Sequence, residues 1–145
     1  MTKVKKLKFR RKHNMNMSQN QYQYLKDLGN LGLGEYKKLK IEGKDCIIYR
    51  HPVHGTLNGY LKVDEKISME KAEKQFNVHG GISIVGDLTF INPEIKGYWI
   101  GFDCNHAFDW SLQSYFIKEE YRNYDYVISE LKKLVKQYKQ YKNEK

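Results

Sequence analysis

Residues 37–63 read KKLKIEGKDCIIYRHPVHGTLNGYLKV, and the period of that stretch decides the fold class. Leu39 and Ile41 precede Gly43, and Ile47 and Tyr49 follow it, each pair two positions apart. Alternation of this kind gives an extended segment one apolar face. Gly43 stands where a hairpin must reverse. A third run, Thr56 to Val63, comes after a loop holding His51, Pro52, His54 and Gly55. In such a loop proline removes a ladder donor and glycine eases a turn. The stretch is expected to be a β-meander, with Leu39 and Ile41 facing Ile47 and Tyr49. The two loop histidines can approach a metal or an anion, although a solvated loop is the simpler reading.

The reading extends outward in both directions. Ser18 and Gln21 have the spacing of a capping box, which predicts a short helix through Leu25 and Leu28. Gly29, Gly32 and Gly34 then end it, because they offer left-handed conformations. No strand precedes these glycines, so they read as a connection rather than a phosphate loop. Ser68 is placed to cap a helix through Met69, Ala72 and Phe76, with Glu70 in its first turn. Val78–Val85 and Tyr98–His106 are expected strands, separated by a loop containing Asn92, Pro93 and Gly97. Val127, Ile128, Leu131, Leu134, Val135 and Tyr138 recur at helical spacing with lysines between them, so a last helix should start near Asn123 or Asp125 and cover the sheet. The expected class is α+β, an antiparallel or mixed sheet of about five or six strands under a C-terminal amphipathic helix. Residues 1–17 are expected to be a basic arm, and residues 18–145 a single domain ending in that lysine-rich helix.

Composition narrows the setting. A chain of 145 residues suits one core, and 40% apolar residues with only two prolines exclude a disordered or collagen-like chain. No apolar run approaches the ~18 residues of a membrane span, and no apolar stretch follows the basic start as in a secretory signal. Cys46 and Cys104 allow one disulfide at most, which points to a reducing cytoplasm.

The net charge of +9 is unevenly placed. Residues 1–12 hold seven lysines and arginines and no acid, and residues 132–145 hold six lysines against Glu144, which leaves −3 for residues 13–131. Two terminal basic blocks suit phosphate contacts by counterion release, or a solvated helix face. Tyr22, Tyr24, Tyr138 and Tyr141 could stack on bases, but tyrosines of this kind more commonly pack.

Chemically dense residues gather at Val78-His79-Gly80-Gly81-Ile82-Ser83 and at Trp99 through Asp109. In an extended segment Cys104 and His106 point one way, Asp103 and Asn105 the other. If Ile100 and Phe102 face the core, Cys104 does too, and His106 lies between core and cleft. Gly80 and Gly81 would let a ligand approach the backbone or offer amides to an anion. Three chemistries fit. His79, Cys104, His106 and Asp109 could ligate zinc, although their spacing matches no standard signature. Cys104 could be a nucleophile with His79 or His106 as base and Asp103 or Asp109 as orienter. His79 and His106 could be an acid–base pair on a phosphate or glycosidic bond. Against these stands a structural reading, with Cys104 as a small core residue and Asp109 capping a helix from Trp110.

The succession Arg50-His51-Pro52, Gly55-Thr56-Leu57-Asn58-Gly59-Tyr60, Val78-His79-Gly80-Gly81 and Trp99-Ile100-Gly101-Phe102-Asp103-Cys104-Asn105-His106, with Asp109 after it, resembles uncharacterised small proteins of bacteriophages and bacterial genomes across residues 46–131. Ser83 stands where that pattern commonly has threonine, and Phe108 where a glycine often precedes the aspartate. The resemblance implies a phage or prophage origin, a host-bacterium cytoplasm, and an accessory role in host defence or nucleotide metabolism. The resulting expectation is a protein that binds, and hydrolyses or sequesters, a nucleotide or other phosphorylated ligand. His79 and His106 would be the acid–base pair, Asp103 and Asp109 the orienters, and Gly80, Gly81, Ser83, Trp99 and Asn105 the ligand contacts. The rival is a non-catalytic protein whose basic ends hold nucleic acid or an acidic host protein. No cofactor is specified by the sequence.

Overall fold

In the computed structural model, residues 15–114 and 119–143 are described; the basic block at residues 1–12 lies outside them. Helix α1 spans Met15–Leu28, strands β1 to β3 span Tyr36–Ile41, Lys44–Arg50 and Leu57–Val63, and helix α2 spans Met69–Gln75. Strands β4 and β5 follow at Ile84–Gly86 and Tyr98–Asp103, and helix α3 closes the order at Tyr124–Asn143. The strands form one five-stranded sheet, β1-β2-β3-β5-β4, antiparallel at every pairing. The class is α+β, as the periodicity requires, with α3 packed on the sheet. No helix among the described residues is long and apolar enough to cross a membrane.

The meander forms, but its faces differ from the expected ones. The two-residue turn Glu42–Gly43 has positive φ at both positions, 48° and 79°, the geometry of a tight primed hairpin. It pairs Ile41 with Lys44 and therefore Leu39 with Cys46 and Lys38 with Ile47. Leu39 and Ile41 thus share a face with Cys46 and Ile48 against α3. Ile47 and Tyr49 look the other way, onto Tyr60, Trp99, Leu88 and Ile95. Counting apolar positions from either side of Gly43 misses this, because residues 46–49 are buried on both faces.

Four other expectations are corrected. Helix α1 begins at Met15, so Ser18 lies inside it rather than at its cap. The run Val78–Val85 is mostly not strand: Gly80 and Gly81 have φ of 67° and 83°, the Gly81 amide donates to Val78 O at 2.9 Å, and pairing starts only at Ile84. Strand β5 stops at Asp103, whose Oδ1 accepts from the Asn105 amide at 3.0 Å in an Asx turn. Trp110 opens no helix; Asp109 instead bridges Glu120 in parallel. Elsewhere the caps are those expected. The Lys71 amide donates to Ser68 Oγ at 3.2 Å, and the Tyr126 amide donates to Asn123 Oδ1 at 2.8 Å.

Against α3, the buried side chains of Val127, Leu131, Leu134, Val135 and Tyr138 pack with Leu57, Leu61, Ile100 and Phe102. A Cβ on Gly59 would stand 2.8 Å from the Phe102 ring and 3.1 Å from Leu131 Cγ, so the helix can seat only over a bare backbone there.

A third cluster is Tyr24, Trp110 and Tyr121, and the Arg50 guanidinium lies 5.5 Å and 6.0 Å from the Tyr24 and Tyr121 ring centres. This arginine is 0% exposed. Its Nε donates to Leu31 O at 2.6 Å, and Nη1 donates to Gly55 O at 2.8 Å and to Tyr121 Oη at 3.0 Å. Nη2 lies 3.7 Å from Asp27 Oδ2, which also accepts from Tyr121 Oη at 2.6 Å and from the Tyr124 amide at 2.7 Å. Removing one partner of such a pair leaves a buried charge uncompensated. Arg50→Leu should lose about 3–5 kcal/mol in urea unfolding. Arg50→Lys should not restore it, because an ammonium cannot span acceptors on three separate segments.

Candidate functional site

The site is built where β5 runs out. After Asp103 the chain turns tightly: the Asp109 amide donates to His106 O at 3.0 Å, and the His106 amide donates to Asp109 Oδ2 at 3.0 Å. Phe108 sits in that turn with φ of 73° and is 67% exposed. The turn thus keeps the left-handed conformation that glycine favours, although a phenylalanine occupies it.

Asp109, its side chain 1% exposed, is the centre. His79 Nε2 lies 2.9 Å and 2.8 Å from its two oxygens, although His79 is 30 residues away in the chain. Arg122 Nε donates to Asp109 Oδ1 at 2.9 Å, and its Nη1 donates to Glu120 Oε2 at 3.0 Å. His106 Nδ1 stands 3.4 Å from Asp109 Oδ2 and 3.5 Å from Asp103 Oδ1. The two imidazole rings are 5.8 Å apart, edge to face. Burial pushes the Asp109 pKa up, but the hydrogen bonds from His79, Arg122 and the His106 amide outweigh it and hold the carboxyl below its usual range.

Three further residues complete the surroundings. Tyr126 Oη is 2.7 Å from His79 Nδ1, so both ring nitrogens of His79 are engaged. Glu130, buried on α3, accepts the His79 amide at 2.8 Å and pairs with Lys133 at 3.1 Å. The Arg122 guanidinium lies 5.2 Å from the centre of the Tyr126 ring. Gly80 carries no Cβ because the His106 ring occupies the space one would need.

Of the residues singled out in the sequence, the fold brings together His79, Gly80, Asp103, His106 and Asp109. The others stand apart. Cys104 joins Ile100 and Phe102 in the core, as strand alternation suggested. Burial first, then Asp109 and Asp103, push its thiol pKa up, so it is no ready nucleophile. Trp99 lies on the opposite face, its Nε1 donating to Lys96 O at 3.1 Å, on a groove of about 590 Å³ shared with Lys38, Lys40 and Lys62. The Ser83 amide donates to Gly101 O at 2.8 Å, and the Gly81 amide is spent on Val78 O at 2.9 Å, so the glycine pair offers fewer amides to an anion than expected. Asn105 is exposed at the turn. The loop histidines stack on each other at 4.5 Å, and His54 Nδ1 reaches Gln113 Oε1 at 2.8 Å; neither joins the His79, His106 and Asp109 set.

Arg122, Tyr126 and Glu130 were not singled out from the sequence. The spacing of four between Tyr126 and Glu130 carries a missed signal, because such residues stack along one side of a helix, while Arg122 precedes α3. Compared with known proteins, the chain matches no family model, no curated protein and no solved structure.

Two outcomes follow from this geometry. Phe108→Gly should stabilise the protein by about 1 kcal/mol in chemical unfolding, by relieving a side chain in the left-handed region. Burial, then Asp45, pushes the Cys46 thiol up to about 12, and Cys104 is raised as well. Raised values keep both thiols protonated at about pH 8, so iodoacetamide should label neither in the native protein and both in urea.

Proposed function

We propose that the side-chain cluster around Asp109 binds and hydrolyses a nucleotide or another phosphorylated ligand. The carrying observation is the gathering of two imidazoles and a guanidinium on one buried, ionised carboxylate, from segments at residues 79, 106 and 122. Burying a carboxylate is costly, and stability alone is served as well by apolar packing. The cluster opens on one side, where the His106 side chain is 36% exposed. Arg122 Nη2 has no hydrogen-bond partner among the described residues, and a planar guanidinium suits a phosphoryl oxygen. In this reading Arg122 and His106 meet the phosphoryl group, and Asp109 and Tyr126 hold the imidazoles in place. Water adds to phosphorus, the ester bond breaks, and the products are the alcohol and inorganic phosphate. In the phage setting that the sequence resemblance implies, such a protein would deplete a phosphorylated ligand of the host.

The test is phosphate release from p-nitrophenyl phosphate and a panel of nucleoside mono-, di- and triphosphates, with binding followed by calorimetry. His106→Ala and His79→Gln should each reduce turnover about 100-fold or more, while removal of residues 2–12 leaves it unchanged. Intact turnover and affinity in both folded variants would sink the proposal. If the basic ends carry the function instead, nucleic-acid binding should fall steeply with salt and disappear on that truncation.

A further inference from the structure

We infer that His79 Nε2, His106 Nδ1 and the Asp109 carboxylate form a binding site for one divalent transition cation of the zinc class. The ligand atoms lie within 4.8 Å of one another, and among the described residues no other set of three histidine, cysteine or acidic side chains does this. Zinc bonds of about 2.0–2.1 Å place tetrahedral ligands roughly 3.3 Å apart. The separations of 2.8 Å from His79 and 3.4 Å from His106 to Asp109 Oδ2 bracket that value.

The second observation is the state of His106 Nδ1. This atom is shut off from solvent and makes no hydrogen bond, although two carboxylates face it. A buried polar atom without a partner is costly, and two carboxylate oxygens stand 3.4 Å and 3.5 Å from this one without bonding it. A cation between them satisfies all three atoms at once. Hydrogen bonding alone accounts for His79 and Asp109, but leaves His106 Nδ1 unserved.

The surroundings fit the same ion. With His79 Nε2 on the metal, Nδ1–H donates to Tyr126 Oη, now 2.7 Å away, which fixes the tautomer as outer partners of metal-bound histidines do. Gly80 lets the His106 ring lie against the backbone. Two imidazoles and one carboxylate favour a first-row transition ion over magnesium or calcium, which prefer oxygen. Three protein ligands leave a position open, the pattern of catalytic rather than structural zinc. Cys104, one of the ligands the sequence offered, is not in the set.

For substrate the inference rests on the hydrolytic reading above. Water on the cation would release a proton to solvent and add as hydroxide to phosphorus, and the departing alkoxide would take a proton from solvent.

Binding is measured first, on full-length protein stripped with chelator and dialysed, by calorimetric titration with Zn²⁺ and by the visible spectrum with Co²⁺. One ion per chain is expected, with a rise in melting temperature. His106→Ala and His79→Gln should weaken binding about 100-fold, and Tyr126→Phe about tenfold. The His51→Ala/His54→Ala double variant should bind as the parent does. Absence of saturable uptake overturns the inference, as does uptake that survives His106→Ala but is lost in the loop double variant. Turnover separates the two proposals. Stripped protein with full phosphate release removes the cation from the reaction and leaves the hydrolase, with uptake alone deciding the site; a bound ion without turnover of any phosphorylated compound leaves the cation and removes the hydrolase.

Discussion

A guanidinium sealed from water sets the position of much that lies around it. Arg50, at the end of β2, takes its acceptors from the segment after α1, from the entrance to β3 and from Tyr121. Asp27 returns the charge and receives both Tyr121 Oη and the Tyr124 amide. These bonds tie α1 to the first turn of α3 across 97 residues of chain. They also fix the segment that pairs with the site: the Trp110 amide donates to Glu120 O, and the Glu120 amide donates to Phe108 O, both at 2.8 Å. Arg122 follows directly, and Tyr126 and Glu130 sit on α3 one and two turns further on. The geometry around Asp109 is therefore inherited from a cluster that has no chemistry of its own.

Much of the scaffold was legible before the coordinates, and the reasons are local. The period of residues 37–63 and the helical repeat of Val127, Leu131, Leu134 and Tyr138 each depend on one element's own amphipathicity. Ser68 and Asn123 announce helix starts through short-range bonds to nearby amides. Facing in the meander was misread because it is set by the number of turn residues, not by apolar spacing. Ile47 and Tyr49 are as buried as Cys46 and Ile48, so hydrophobicity carries no information about which side they take. The strand expected at Val78 failed for another local reason, two consecutive glycines at positive φ.

The site was partly legible. His79, His106 and Asp109 were named because their residue types are chemically dense, and the sheet's end brings them together. Tyr126 and Glu130 escaped notice because a tyrosine and a glutamate on a lysine-rich helix look like ordinary surface. Only the tertiary contact with the His79 loop gives them a task. Trp99 was carried along by proximity in the chain, which strand alternation turns to the opposite face, and the Ser83 amide is spent on Gly101 O.

The molecule buries charge in two places, and the difference between them separates architecture from chemistry. Around Arg50 the donors run to backbone carbonyls and to Tyr121, packed under aromatic rings, with no side open to water. Such an arrangement can hold segments together but cannot meet a ligand. Around Asp109 the carboxylate is as deeply buried, yet one of its two imidazoles is more than a third exposed. Buried ionic clusters are weak stabilisers, so two in one small protein need separate reasons. The closed one is accounted for by the segments it joins. The open one lies at the end of a rigid sheet, where the backbone would hold side chains in place for the ligand proposed above. The closed cluster sets the frame in which the open one is held, and the 109–120 bridge couples them.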